Sequence, residues 1–254
     1  MDVTIIRDRL SIELIGEILA DLVKMETIPL CVYGSDLLPK NAVKSSLLGD
    51  CLAENIYQIA KGRIKGPVYA GVEQDRAFCR CIGGPAWFGF EGFDPRLPSL
   101  ISAVLKDDEL TGKRLKESEE IACETLREIG NVRSPGRYVM ISRCDDLQND
   151  PGVRCIICFA SAGKIMDLCA LAHFGSHEAL NLISIPWGPA CATLITYPAG
   201  MTGNGYSSRI FIGPTDPSSR QWLPEDCLAM GIPVEIARKM AEDADKSFLT
   251  KKDA

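Results

Sequence analysis

The run V-R-C-I-I-C-F at 153–159 constrains the fold more than any other segment. Apart from Arg154, both alternating sets of residues are apolar, so it reads as a strand buried on both faces. Residues 161–173 then read as a helix. Strand, short loop, helix is the local grammar of a βαβ unit. The expected class is α/β or α+β, with a mixed or parallel sheet flanked by helices.

Other segments fit that frame. Ile6, Leu10, Leu14, Ile18 and Leu22 recur every four residues and predict a helix over 5–24. I-P-L-C-V-Y at 28–33 reads as a strand. A second helix, capped at Ser45 or Ser46, is expected to run to Lys61, with Leu48, Leu52, Ile56 and Ile59 as its stripe. Strands are expected at 68–72, 138–142 and 209–212, and helices at 117–129 and after Pro233. The stretch 74–98 is dense in glycines, prolines and aromatic residues and reads as irregular. Residues 187–198 are apolar, bounded by prolines, and left unassigned. The 254 residues show no internal repeat and no linker, so a single domain over 1–254 is expected.

Charge and composition exclude several partners. The net charge is −6, and no Lys/Arg run is long enough to track phosphates, which argues against nucleic acid. Asp2, Arg7, Asp8, Arg9, Glu13, Glu17 and Asp21 interrupt the N-terminal apolar residues, so no secretory leader is expected. The longest apolar stretch, 153–174, contains Lys164 and Asp167 and is too charged to span a membrane. A cytoplasmic protein follows, able to form a homo-oligomer. Eleven cysteines in such a chain are expected to stay reduced, as in an anaerobic or reducing cell.

The cysteines divide by context. Cys155 and Cys158 lie three apart on the predicted strand, where their side chains point to opposite faces, so they read as core thiols. Cys79 and Cys81 open the glycine-rich segment, where a backbone can approach a cluster closely. Arg76 and Arg80 beside them could lower a thiol pKa. Cys51 sits on the second helix. Cys191 follows the constrained P-W-G-P at 186–189. His173 and His177, the only histidines, are spaced i, i+4, but Gly175 between them should end the helix. No G-x-S-x-G, P-loop or complete dinucleotide fingerprint occurs. Arg209 and Arg220 flank a Gly/Pro/Ser-rich stretch with Asp216, a setting that suits carboxylate or phosphate ligands or an ion pair with Asp216.

Taken in order, four stretches resemble the DUF169 (ArCR) family, common in archaea and anaerobic bacteria. They are I-P-L-C-V-Y at 28–33; Cys51 on a helix ending at A-K-G, 60–62; C-R-C-I-G-G-P-A-W-F-G-F at 79–90; and the C-terminal half. That half comprises the strand–helix pair at 153–173, Cys191, the segment 216–220, and I-P-V-E at 232–235 with its helix. The resemblance spans about residues 10–250. It carries no activity. It implies recurrent cysteines at Cys51, at Cys79 or Cys81 (one of the pair being an additional thiol here) and at Cys191, and that these segments meet in space.

Three functional readings stay open. In the first, Cys51, Cys79, Cys81 and Cys191 converge to hold zinc or an iron–sulfur cluster. In the second, the chain is a small-molecule binder or thiol enzyme: a thiolate such as Cys79, activated by Arg76 or Arg80, faces an anionic ligand held by Arg209 or Arg220, with Trp87, Phe88 and Trp187 as pocket wall. In the third, an exposed aromatic patch over 87–93 binds a partner or a second copy.

Overall fold

The computed structural model describes residues 10–45, 51–71, 81, 83–102, 113–202 and 208–251. One mixed sheet of eight strands runs through it: β1 Leu30–Ser35, β2 Val43–Lys44, β3 Val68–Gly71, β4 Tyr138–Arg143, β5 Val153–Ser161, β6 Ile183–Ser184, β7 Ile210–Gly213 and β8 Cys227–Pro233. Their order is β2-β3-β4-β1-β5-β8-β7-β6. Only the outermost pairs, β2–β3 and β6–β7, are parallel; every inner pair is antiparallel. The expected βαβ unit is present in an extended form. Helix α6 (Ala162–Phe174) follows β5 directly and leads to β6, and the antiparallel β8 and the parallel β7 lie between those two strands.

Strand alternation sends residues to two cores. On β5, Cys155, Ile157 and Phe159 enter one; Ile156, Cys158 and Ala160 enter the other. The first core is roofed by α2 (Leu52–Ala60), α3 (Gly84–Trp87), α4 (Leu97–Ser102) and α5 (Glu119–Ile129). The second is covered by α1 (Ile12–Leu22), α6 and α8 (Val234–Asp243). Ile156 and Ile157 are both fully buried, and each such side chain contributes about 1.5–3 kcal/mol by leaving water.

Several boundaries differ from the sequence reading. Helix α1 begins at Ile12 because the Ser11 side chain accepts from Leu14 N at 3.2 Å and caps it there. Helix α2 begins after Cys51, which is itself extended (φ −127°, ψ 130°), so Cys51 caps the helix and does not lie within it; the expected cap Ser46 and stripe residue Leu48 lie outside the described residues. The stretch expected to be irregular, 74–98, holds α3 and the first two residues of α4, while 72–80 and 82 lie outside the described residues. Strand β8 is not among the expected strands; C-L-A-M-G-I-P is apolar, but it holds Gly231 and Pro233, which strands disfavour.

Gly231 has a packing reason. Residues 191–196 form a π-helix, and they press onto β7 and β8 where two glycines leave the sheet bare. A Cβ at Gly231 would lie 2.7 Å from Pro198 Cγ and 3.0 Å from Leu194 O; one at Gly213 would collide with Thr193. We expect Gly231→Ala to lower stability by about 1–3 kcal/mol through overpacking, which is about 2–4 °C of Tm per kcal/mol for a chain of this size. Gly92→Ala, with nothing within 4 Å of the new methyl, should leave Tm within a degree or so. Thermal unfolding of the two variants checks this; equal Tm values would contradict it.

Candidate functional site

The π-helix places Cys191. Such turns are rare and concentrate at functional sites. Here Tyr197 N bonds Ala192 O at 2.9 Å and Met201 N bonds Thr196 O at 3.0 Å, both at the wide π spacing. The loop before it is tied down by Thr215: Gly188 N donates to Thr215 Oγ1 at 2.9 Å, and that hydroxyl donates to Pro186 O at 3.0 Å. Asp216 N donates to Gly188 O at 3.1 Å. The Thr196 hydroxyl bonds both Cys191 O and Trp87 O, which clips the π-helix to α3. Cys191 therefore sits buried between the sheet and the segment that carries Cys81.

Cys51 arrives from another direction, as the N-cap of α2. The backbone N–H groups of Ala53 and Glu54 and the indole N–H of Trp222 lie near enough to favour its thiolate, although its sulfur makes no side-chain capping hydrogen bond and the indole has no partner. Trp222 Nε1 is buried and no oxygen accepts from it; the Cys51 sulfur is its neighbour of the right kind. One turn along α2, Asn55 is buried with its Oδ1 unpartnered, although its amide donates to Ser45 O at 2.9 Å. Buried polar atoms without partners are uncommon.

Of the four expected cysteines, Cys51, Cys81 and Cys191 lie within electrostatic reach of one another. Charge on Cys81 raises the Cys51 pKa, and charge on Cys51 and on Cys81 raises that of Cys191. Cys81 is exposed and Cys51 half-buried. Cys79, Arg76 and Arg80 lie outside the described residues. For both Cys51 and Cys191, burial is the largest upward cause; the amide and indole donors at Cys51 only partly offset it. The buried Asp216 adds to the push on Cys191. At neutral pH Cys51 and Cys191 are protonated, and neither is a ready nucleophile. A cation among them would reverse that balance, because a coordinated thiol is deprotonated. Among the described residues no three His, Cys, Asp or Glu side chains stand at metal-holding distance, so the three thiols are neighbours and not a closed cage.

The predicted ligand residues separate into two clefts. Trp187 and Arg209 line one of about 440 Å³, with Tyr197, Phe211, Thr125 and Glu128. Arg220 lines another of about 670 Å³, with Met166, Ile212 and Leu223. Trp87 does not line the first cleft. It is buried behind Trp187, their rings 6.4 Å apart. Phe88 is fully buried as well, so 87–93 presents no broad aromatic face: the two residues that would centre it point into the core. Asp216 pairs with Lys113 at 3.6 Å and caps α7 (Pro217–Arg220) rather than pairing with Arg209 or Arg220. Helix α6 ends at Gly175 as expected, and the His173 ring bonds Glu178 O at 3.0 Å.

One thiol grouping escaped the sequence reading. Cys31, Cys144 and Cys158 meet in the second core, where a Cys31 hydrogen bond and burial raise the Cys144 pKa well above its ordinary value. Their positions are far apart in sequence, and only the β1–β4–β5 pairing joins them.

One family model matches the chain over residues 18–243. The chain belongs to the DUF169 family. That family is described as uncharacterised ArCR. No curated protein and no solved structure matches this DUF169 chain. Among its described residues no helix is long and apolar enough to cross a membrane.

Burial holds Cys169 and Cys227 up at about 11 and Cys158 at about 12, against an ordinary value of 9.0. Above about pH 9 the unfolded thiols lose protons that the folded ones keep, so the unfolded state binds fewer protons and stability falls with rising pH. We expect the urea midpoint, measured under reducing conditions, to hold up to about pH 9 and then decline through pH 11. A midpoint that rises over that interval would contradict the account.

Proposed function

We propose that this DUF169 chain holds a soft metal ion, zinc or iron in an iron–sulfur cluster, through Cys51, Cys81 and Cys191, with Cys79 as the fourth ligand. The observation that carries the reading is the electrostatic reach among three thiols from three separate segments, Cys81 bearing on Cys51 and both bearing on Cys191, beside a buried indole N–H of Trp222 that has no hydrogen-bond partner. Thiolate sulfur is the donor that zinc, copper(I) and iron–sulfur clusters share. Desolvation and mutual repulsion disfavour the three thiolates only while nothing positive lies between them. The donors at Cys51, two amides and an indole, are the kind that orient and tune a coordinating sulfur. Binding would draw the sulfurs inward from their present spacing and release their protons, so affinity should fall as pH is lowered. The site belongs in a reducing compartment such as the cytoplasm, where exposed Cys81 stays a thiol. The unfavourable ionisation of Cys51 and Cys191 weighs against a metal-free thiol enzyme built on either.

The test is protein purified without oxygen, with zinc, iron and acid-labile sulfide counted per chain, before and after reconstitution. We expect one zinc or one cluster per chain. Cys51→Ser and Cys81→Ser should each lose metal affinity at least about tenfold, while Cys123→Ser on α5 should not change it. Folded wild-type protein that takes up neither zinc nor a cluster on reconstitution would refute the proposal.

A further inference from the structure

We infer that the cleft beside Trp187 is a binding site for a small organic acid with a flat apolar body, its carboxylate held by Arg209. The inference stands apart from the thiols; it uses the opposite end of the π-helix segment. Arg209 immediately precedes β7 and is half-buried at the cleft, yet among the described residues it has neither an ion pair nor a hydrogen bond. A guanidinium in that position has lost part of its hydration without gaining an acceptor. Its planar fork fits a carboxylate edge-on through two parallel hydrogen bonds.

The rest of the cleft suits the body of such a ligand. Trp187, Tyr197 and Phe211 give it an aromatic wall, and that wall is rigid. The Tyr197 hydroxyl donates to Trp187 O at 3.2 Å, the Tyr197 and Phe211 rings lie 5.6 Å apart, and Trp87 backs both Trp187 and Tyr197 at 6.4 and 6.3 Å. Lys116 does not line the cleft; its Nζ stands 4.8 Å from the Trp187 ring centre and helps to hold that ring. Glu128 also lines the cleft and is exposed. A single guanidinium on the lining suits a monoanion better than a dianion. The volume, about 440 Å³, is in the range of small-molecule sites and holds a one- or two-ring acid.

Three probes of one shape separate the possibilities: benzoate, phenyl phosphate and neutral benzamide, followed by ligand-observed NMR on the full chain. Benzoate should bind in the millimolar range expected of so small a ligand, about tenfold or more tighter than benzamide, with phenyl phosphate weaker than benzoate. Arg209→Gln should remove the preference for benzoate over benzamide. Ile185→Glu places a carboxylate on a cleft residue that is 70% exposed, so it should keep the fold and weaken benzoate alone. Benzoate that fails to bind at about 10 mM, or binds no better than benzamide, overturns the inference. So does an unchanged benzoate preference in folded Arg209→Gln or Ile185→Glu protein. Tighter binding of phenyl phosphate overturns the choice of a monoanion.

Discussion

Close approach between the segment 191–198 and the bare surface of β7 and β8 organises both candidate sites. It needs glycine at 213 and 231, because any Cβ there would occupy the space of Thr193, Leu194 or Pro198. Once seated, the π-helix has two working ends. Cys191 at its start faces the Cys51 and Cys81 segments, and Tyr197 just past its finish lines the Arg209 cleft. The Thr215 hydroxyl and the Asp216 amide fix the loop that leads into it. The wider turn costs hydrogen-bond regularity, and packing against a glycine-lined sheet is what holds it.

Two kinds of electrostatic environment result. Around the thiols, burial and like charge both favour the neutral form, and Cys51 is offered donors that only a thiolate could use fully. Around Arg209 the group is permanently charged and lacks a counterion among the described residues. One environment is short of positive charge once its thiols ionise; the other is short of negative charge. Trp87 separates them: its carbonyl accepts from Thr196, and its ring backs the cleft wall.

Much of this frame was legible in the sequence. The apolar run at 153–159 is a strand buried on both faces, with Cys155 and Cys158 in different cores, as period-two alternation requires. Order and resemblance pointed to Cys51, Cys79, Cys81 and Cys191 as a group; the electrostatic reach among three of them agrees in part, and Cys79 lies outside the described residues. What escaped had physical causes. Strand β8 hides behind Gly231 and Pro233, residues that signal turns when read locally but here serve close packing and the start of α8. The π-helix has no simple period to detect. Trp87 and Trp187 looked equivalent in sequence, yet one is a buried brace and the other a cleft wall, a difference set by tertiary packing alone. Arg209 and Arg220 likewise fall to different clefts because β7, the turn after it and α7 lie between them.

The central claim is that sulfur from these convergent segments is what this DUF169 chain offers to a metal. X-ray absorption at the zinc edge, on zinc-loaded protein prepared without oxygen, reads that directly. The account predicts a first shell of three or four sulfurs at about 2.3 Å, with one sulfur replaced by a lighter atom in Cys51→Ser. A shell of nitrogen and oxygen alone, unchanged by that substitution, would contradict it.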